Sequence, residues 1–389
     1  MHKKAGASLN MKIEEIKNQC TACSACESVC PRRCININFD QEGFYYPQID
    51  HTQCVSCGKC ERVCHCLSIK KESEDNIRHS FYGISQSKDV LQNSSSGGAF
   101  YHLSESVLEE GGVVFGASFD CGEQMLVHTS TMTVELEKLQ KSKYIESRMS
   151  GIIPKIQKEL KAGRKVLFCG TPCQISGIKR VVPCQDNFIT CDFVCHGVPS
   201  AMLFREHLQS MLKRGEEIVN VDFRPKDISW VKKYLRIQTN RRTIEMPYYL
   251  DSFYYGFMEY NAFLRRSCYN CQFRSRHISD LTIADFWGWQ KYNPQMCSED
   301  GISLIIANSE LGLEQVKKIK GMEIAEIDNK FSDYIFAPKN YSEGKALRDE
   351  FYKIYEKNGF ENAARKTYFK DTVKKTAKYR VKKLLGREK

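Results

Sequence analysis

Eight cysteines near the amino terminus fall into two runs of the same spacing: Cys20, Cys23, Cys26 and Cys30, followed by Pro31, then Cys54, Cys57, Cys60 and Cys64. Three thiolates two residues apart on a tight loop can cap three corners of an iron–sulfur cube. The backbone cannot bend enough to present a fourth at the same spacing, so the last corner comes from elsewhere. In chains with two cubes, the final cysteine of each run ligates the other cluster. The spacing therefore assigns Cys20, Cys23, Cys26 and Cys64 to one [4Fe-4S] cluster, and Cys54, Cys57, Cys60 and Cys30 to a second. Zinc also takes four thiolates, but two interleaved runs with the third cysteine so close argue against it. His65 stands where such runs often carry proline, which weakens the turn rather than the ligation. Cys34 and Cys66 lie outside the pattern and read as small buried hydrophobes.

These runs define a bacterial-type two-cluster ferredoxin domain, too small to account for 389 residues. A second constellation lies further on. Cys268 and Cys271 form a two-ligand clip that cannot hold a cluster alone. The best additional thiols stand at strand-to-loop corners, Cys173 in Gly-Thr-Pro-Cys and Cys195 in Cys-His-Gly. Adjacent parallel strands bring such corners to one sheet edge, and a helix amino terminus at Cys173 favours thiolate. Cys169 and Cys191 lie inside apolar strands and read as core, with a Cys169, Cys173, Cys191, Cys195 quartet as the competing set.

The elements that would position these groups alternate along the chain. Residues 81–86 read as a strand. Phe100, Leu103 and Val107 give one apolar helix face, capped near Ser96 and ended by Gly111-Gly112. Residues 113–119 and 165–169 read as buried strands, with a helix over 152–160 between them and another resuming at Gln174. A strand over 188–194 precedes a helix over 201–214. Strands at 219–223, 234–238, 281–286 and 302–307 follow, so the second unit is an α/β layer structure. The aromatic-rich stretch from Tyr248 to Phe263 reads as core.

Five segments in order, SSSGGAFYHLSESVLEEGGVVFGASFD, SKYIESRMSG, KVLFCGTPCQISGIKR, VCHGVPS and CYNCQFRSRHISDLTIADFWG, resemble the beta subunit of coenzyme F-420 reducing hydrogenase and formate dehydrogenase. With the ferredoxin in front, the arrangement is similar to deazaflavin-oxidising subunits of archaeal respiratory complexes. The resemblance implies FAD, a third [4Fe-4S] cluster beside it, and hydride exchange with a deazaflavin or similar acceptor. It places the cluster ligands at Cys173, Cys195, Cys268 and Cys271, and FAD contacts at Ser96, Gly97, Gly98, Lys143, Tyr144, Ser147, Gly170 and Thr171. Paired glycines opening a helix suit a pyrophosphate on physical grounds too. No G-x-G-x-x-G follows a strand, so the nicotinamide fingerprint is missing.

The expected fold class is α+β: the ferredoxin domain over 11–72, a linker over 73–80, then a flavin-binding α/β domain with a mixed sheet. That domain divides into an amino-terminal part with the flavin loop, 81–160, and a carboxy-terminal part with the third cluster, 161–340. Residues 1–10 read as a disordered leader, since Met11 is an equally good start, and 341–389 as a basic helical tail. The expected activity is a flavin-dependent iron–sulfur oxidoreductase that exchanges electrons with a ferredoxin or partner subunit and a hydride with a small organic substrate. A non-catalytic electron-transfer adaptor is the alternative. His196 is a candidate proton donor, against a structural histidine. Asp285, Trp287 and Gly288 are candidates for shaping the pocket, against plain core packing.

Nineteen cysteines in metal-ligand spacing point to a reducing cytoplasm, and neither a signal peptide nor a run of ~18 apolar residues is evident. Eleven Lys or Arg between Asn362 and Lys389, against Asp371 and Glu388, carry +9 of the net +11. The body is thus nearly neutral, which excludes a nucleic-acid enzyme. In the tail, Phe369, Val373, Ala377, Val381, Leu384 and Leu385 recur every three or four residues, as in a basic amphipathic helix for an anionic membrane or an acidic partner. A solvated helix is the competing reading.

Overall fold

The computed structural model describes residues 12–67, 77–133, 136–274, 276–294, 300–336, 341–370 and 379. The expected leader, residues 73–76 of the linker and the tail's periodic positions from Val373 on lie outside the described residues.

The amino-terminal domain wraps the two cysteine runs around α1 (Ala25–Ser28), β1 (Ile35–Phe39), β2 (Tyr45–Ile49) and α2 (Lys59–Val63). β1 and β2 form an antiparallel hairpin closed at Phe39 and Tyr45. Its loop is fixed by Asp40, whose Oδ1 accepts from the backbone N–H of Glu42 and of Phe44, both at 3.0 Å.

The body begins with β3 (His79–Ser85), which opens inside the expected linker. Next come α3 (Lys88–Gln92), α4 (Ala99–Glu109), β4 (Val113–Asp120), β5 (Met125–Thr131), β6 (Ser147–Arg148), α5 (Ile152–Lys161), β7 (Val166–Gly170), α6 (Pro172–Lys179), β8 (Phe188–Phe193) and α7 (Ala201–Met211). The second half adds β9 (Ile218–Asp222), β10 (Tyr234–Thr239), β11 (Thr243–Pro247), α8 (Ser252–Tyr255), β12 (Leu281–Asp285), α9 (Trp289–Tyr292), β13 (Ser303–Ala307), α10 (Glu310–Lys318), β14 (Met322–Ile327) and α11 (Ser342–Thr367).

Nine strands make one mixed sheet in the order β14-β3-β13-β12-β8-β7-β4-β5-β6, and β9 to β11 form a separate three-stranded sheet. At the centre, β4, β7, β8 and β12 are parallel neighbours, which is what helical crossovers enforce. Alternation along β7 divides the layers: Val166 and Phe168 pack with α5 and α6, Leu167 and Cys169 with α4 and α10. Cys191 of β8 pairs in register with Cys169 and joins the second layer.

Helix α4 is capped at Gly98, φ +93°, beside Ser96, whose hydroxyl donates to the Ile302 carbonyl at 2.6 Å. One local expectation is corrected. Helix α6 starts at Pro172 rather than Gln174, the residue whose missing N–H suits a first turn. Nor do residues 341–370 leave the body as a tail. Arg348, Phe351, Tyr352, Phe360, Tyr368 and Phe369 are buried in the aromatic core that the segment 248–263 also fills.

Helix α11 is held by ions as well as rings. The buried His207 of α7 bonds Asp251 at 2.8 Å through Nε2 and Glu361 at 2.9 Å through Nδ1. Burial alone would lower its pKa, but the Asp251 and Glu361 carboxylates overcome it and raise it to about 10. A folded value above the unfolded one, about 6.5, gives stability that is full below that pH and lost as pH climbs toward 10. His207→Leu is expected to remove about 3–5 kcal/mol, the cost of leaving buried charge unpaired. It should also abolish the loss of stability between about pH 6.5 and about pH 10 in denaturant unfolding.

Candidate functional site

The carboxyl ends of β4, β7, β8 and β12 open on one cavity of about 350 Å³, near the lower end for small-molecule sites. Open parallel sheets bind ligands at this edge because the loops diverge there. Gly170 and Thr171 leave β7, Val194 and Cys195 leave β8, and Asp285 ends β12, all on the cavity wall.

Four thiols gather there. Cys173, in the first turn of α6, lies within electrostatic reach of Cys195, Cys268 and Cys271. The juxtaposition follows from the backbone: the segment after β8 is bridged at Pro199 to Leu264, and the N–H of Arg265 donates to the Val198 carbonyl at 2.9 Å. Burial raises Cys195 to about 11 and Cys268 to about 12, and raises Cys173 well above the thiol range, with neighbouring thiols adding to the effect. Such a set is stable as thiolate only around a cation, which fits a metal cluster. Cys169 and Cys191 are free thiols, hydrogen-bonded to each other across β7 and β8, and Cys169 also reaches the cavity wall.

In the ferredoxin module Cys20, Cys23, Cys26 and Cys64 act on one another. Both cysteine loops adopt the same unusual backbone. Ala22 and Ser24 in one, and Ser56 and Gly58 in the other, have φ between 50° and 65°, where non-glycine residues are uncommon. Alternating handedness of this kind turns successive N–H groups inward as a nest for an anionic group such as an iron–sulfur cube. The second set contains a residue read only as core. Cys34 is buried but lies 3.4 Å from Cys30, sulfur to sulfur, and also bonds Cys54. Cys66 is buried and donates to the Gln19 carbonyl at 3.0 Å. Among the described residues no three His, Cys, Asp or Glu are placed to hold a single metal ion.

Of the residues expected to touch FAD, Ser96, Gly98, Lys143, Tyr144, Ser147, Gly170 and Thr171 border the cavity. Gly97 does not. Its missing side chain serves packing, since a Cβ there would lie on the Gly83 carbonyl and 2.6 Å from the Ser303 nitrogen. The Lys143 ammonium donates to the Gln140 carbonyl at 2.5 Å, and burial, only partly offset by Cys169 and Asp222, lowers its pKa to about 7. Ser147 accepts from Gln174 at 2.9 Å, and Gln174 accepts from the Thr171 N–H at 2.9 Å, which fixes the turn into α6.

His196 is on the wall, its Nε2 2.6 Å from the Asn261 side-chain oxygen and its ring edge-on to Phe257 and Tyr341. Asp285 receives Arg224 at 2.8 Å and Trp230 Nε1 at 3.3 Å, and Trp287 stacks on Trp230 at 4.9 Å. Gly288 turns the chain at φ +83° into α9 and is not part of the wall.

Several wall residues have no precedent in the sequence reading. His128, Gln140 and Arg274 border the cavity and keep buried ring, amide and guanidinium nitrogens without a partner. Buried polar atoms are normally satisfied, so these are left over for a polar ligand, and they fit a flavin with its pyrophosphate and ring carbonyls. Arg265 and Glu146 are buried as well, and neither is marked by its neighbours in sequence.

This is an iron–sulfur protein with a mixed α/β body. Residues 19–67 match the 4Fe-4S dicluster domain family. Residues 163–331 match the family described as the C terminus of the coenzyme F420 hydrogenase/dehydrogenase beta subunit, so the chain joins a dicluster ferredoxin module to a domain of that family. Among solved structures, the xenon-derivatised F420-reducing [NiFe] hydrogenase complex from Methanosarcina barkeri contains a similar chain. The identity is 15%, the TM-score 0.45, and the match covers 74% of this chain and 90% of that one. No curated protein matches.

Cys268→Ala is expected to lower iron by about four atoms per chain while both ferredoxin-type signals persist, measured by iron analysis and electron paramagnetic resonance. Gly177 of α6 is a second test. A Cβ there would lie 2.5 Å from the Cys23 sulfur, so Gly177→Ala should cost about 1–3 kcal/mol by overpacking. It should perturb the signal of the cluster at Cys23 and leave that of the Cys54 run unchanged.

Proposed function

We propose that this chain is a flavin-dependent iron–sulfur oxidoreductase. FAD occupies the cavity, an organic hydride donor or acceptor of deazaflavin type reacts there, and three [4Fe-4S] clusters relay single electrons to or from a ferredoxin or partner subunit. The observation that carries this reading is a thiol set on the wall of one cavity with the first ferredoxin cysteine loop reaching the same wall. Cys173, Cys195, Cys268 and Cys271 line it, as does Thr21, between ligands Cys20 and Cys23.

Bound flavin would supply the conversion between two-electron hydride chemistry and one-electron transfer. The chain's own residues supply placement. Ser95, Ser96 and Gly98 border the cavity on one side and the Gly170-Thr171 turn on another. Lys143, Arg224 and Arg274 offer cations, and Gln140 and Arg274 the unpaired donors. The His128 Nε2–H donates to the Cys169 carbonyl at 3.3 Å, and burial lowers its pKa to about 4. Its Nδ1 is therefore a neutral acceptor at physiological pH. His196, bonded to Asn261, is the candidate to hold a proton at the cluster edge of the cavity.

Cys173, Cys195 and Cys268 are half-buried, whereas Cys271, Cys57 and its neighbour Val55 are exposed. In this reading the Cys30, Cys54, Cys57, Cys60 cluster meets the partner, the Cys20 cluster is the middle step, and the third cluster serves the cavity. No helix among the described residues is long and apolar enough to cross a membrane, so any membrane contact would be peripheral.

Anaerobic purification, extraction of cofactors, and reduction by deazaflavin, NADH or reduced ferredoxin test the proposal together. Bound FAD and bleaching of the flavin and cluster absorbance by a reduced deazaflavin or by reduced ferredoxin are expected. A full complement of clusters without flavin, and no turnover of any hydride donor, would instead make the chain an electron-transfer adaptor.

A further inference from the structure

Arg265 is 1% exposed and Glu146 3%, and the two form an ion pair at 2.5 Å. Arg265 Nε donates to the Cys20 carbonyl at 2.6 Å and Nη2 to the Tyr45 carbonyl at 2.9 Å, while its plane lies over the Tyr46 ring at 4.1 Å. The other Glu146 oxygen accepts the Tyr45 N–H at 3.0 Å. On its opposite side Arg265 belongs to the turn that carries a second thiol set, its own carbonyl accepting the Cys268 N–H at 2.9 Å. One guanidinium thus touches the first ligand residue of the ferredoxin run and is three residues from a ligand of the third set.

We propose that Arg265 is an electrostatic bridge between two clusters. It is a fixed buried cation wedged between the Cys20, Cys23, Cys26, Cys64 set and the Cys173, Cys195, Cys268, Cys271 set, and it raises the reduction potentials of both. Glu146 determines how much of that charge they feel. The inference rests on the cluster assignment proposed above and adds what sets the potentials along the relay.

The physical case has three parts. Reducing a cube adds one negative charge, and a cation held in low dielectric favours the reduced form far more than an exposed one would. Cluster potentials respond to nearby charge and to hydrogen bonds around the ligands, and the bond to the Cys20 carbonyl withdraws electron density from a ligand residue. The pair is also not the only fastener of the hairpin. The same hairpin is already held by Arg348 and Arg266 on Glu42, at 3.0 and 2.5 Å, and by Ser200 on the Gly43 carbonyl at 3.0 Å. A buried ion pair stabilises no better than apolar residues of equal volume, so stability alone gives no reason for this one. The bonds of Arg265 all lie on the Cys20 and Cys268 side, away from Cys54, Cys57 and Cys60, which makes the outer cluster an internal control.

Redox titration of the anaerobically purified full chain, followed by electron paramagnetic resonance, tests the bridge. Glu146→Gln leaves Arg265 uncompensated and is expected to raise the potentials of the inner two clusters. The reduced-to-oxidised ratio at a fixed solution potential should change about tenfold, ~59 mV for one electron. Arg265→Gln leaves Glu146 uncompensated and should lower the same two potentials, while Arg265→Lys, which keeps the charge, restores them toward wild type. Opposite shifts from the two neutralising variants, with the outer cluster unmoved, are not produced by loosened packing. Should Arg265→Gln fail to fold, Glu146→Gln alone decides. Three clusters with unaltered potentials in Glu146→Gln, or an equal shift of all three, would overturn the bridge but leave the proposed activity standing. Wild-type protein lacking a third-cluster signal would sink the cluster assignment and the bridge with it.

Discussion

The seam between the ferredoxin module and the α/β body is organised by a charge that has been taken out of water. A guanidinium buried as deeply as Arg265 is tolerable only if every donor has a partner. Its partners come from three separate stretches: the Cys20 carbonyl, the Tyr45 carbonyl and the Glu146 carboxylate. Satisfying them fixes the hairpin loop, the first cysteine run and the turn before Cys268 relative to one another. Sliding the modules past each other would break the bonds to the Cys20 and Tyr45 carbonyls together, so the two modules have one arrangement rather than a family of them.

That arrangement has a consequence for where the thiols lie. Parallel strands β7 and β8 deliver Cys173 and Cys195 to one sheet edge, and the Pro199 to Leu264 bridge brings Cys268 and Cys271 over it. The ferredoxin module then settles on α6, the helix that Cys173 opens. Gly177, one turn further, has no side chain, and Cys23 occupies the space a methyl group would take. Glycine inside a helix costs about 0.5–1 kcal/mol against alanine. Here the return is close approach between a ligand loop of one set and the helix that carries a ligand of the other.

Much of this was legible in sequence wherever the determinant is local. The cysteine spacing, the β7 and β8 corners and the apolar face of α4 depend on neighbours within a turn or a strand, and the elements stand within a few residues of their expected bounds. The hairpin strand β5 was passed over, because Met125-Leu126-Val127-His128-Thr129 buries residues on both faces, so the polar alternation that marks a half-buried strand is absent. Gly97 was read as a phosphate-loop glycine, and the true constraint, the backbone of β3 and β13 against it, is made by residues far away in sequence. Arg265, Glu146, His128 and Arg274 carry no local signature at all. Their positions are consequences of the docking, and they become visible only as buried polar atoms that need partners.

The carboxy-terminal helix illustrates how composition can mislead. Lys and Arg dominate the chain beyond Asn362, yet the described part up to Lys370 is anchored through Tyr352, Phe360 and Tyr368 in the aromatic core. Arg348 adds the ion pair with Glu42 of the ferredoxin hairpin. A charged helix can bury its apolar face and its best-placed cation while leaving the remaining charges in water. The position of α11 is decided by three rings and one guanidinium, not by the basic composition of the chain beyond Asn362. Because Arg348 and Arg265 grip the same hairpin from two sides, the far end of the chain helps to hold the first cysteine run against the cavity.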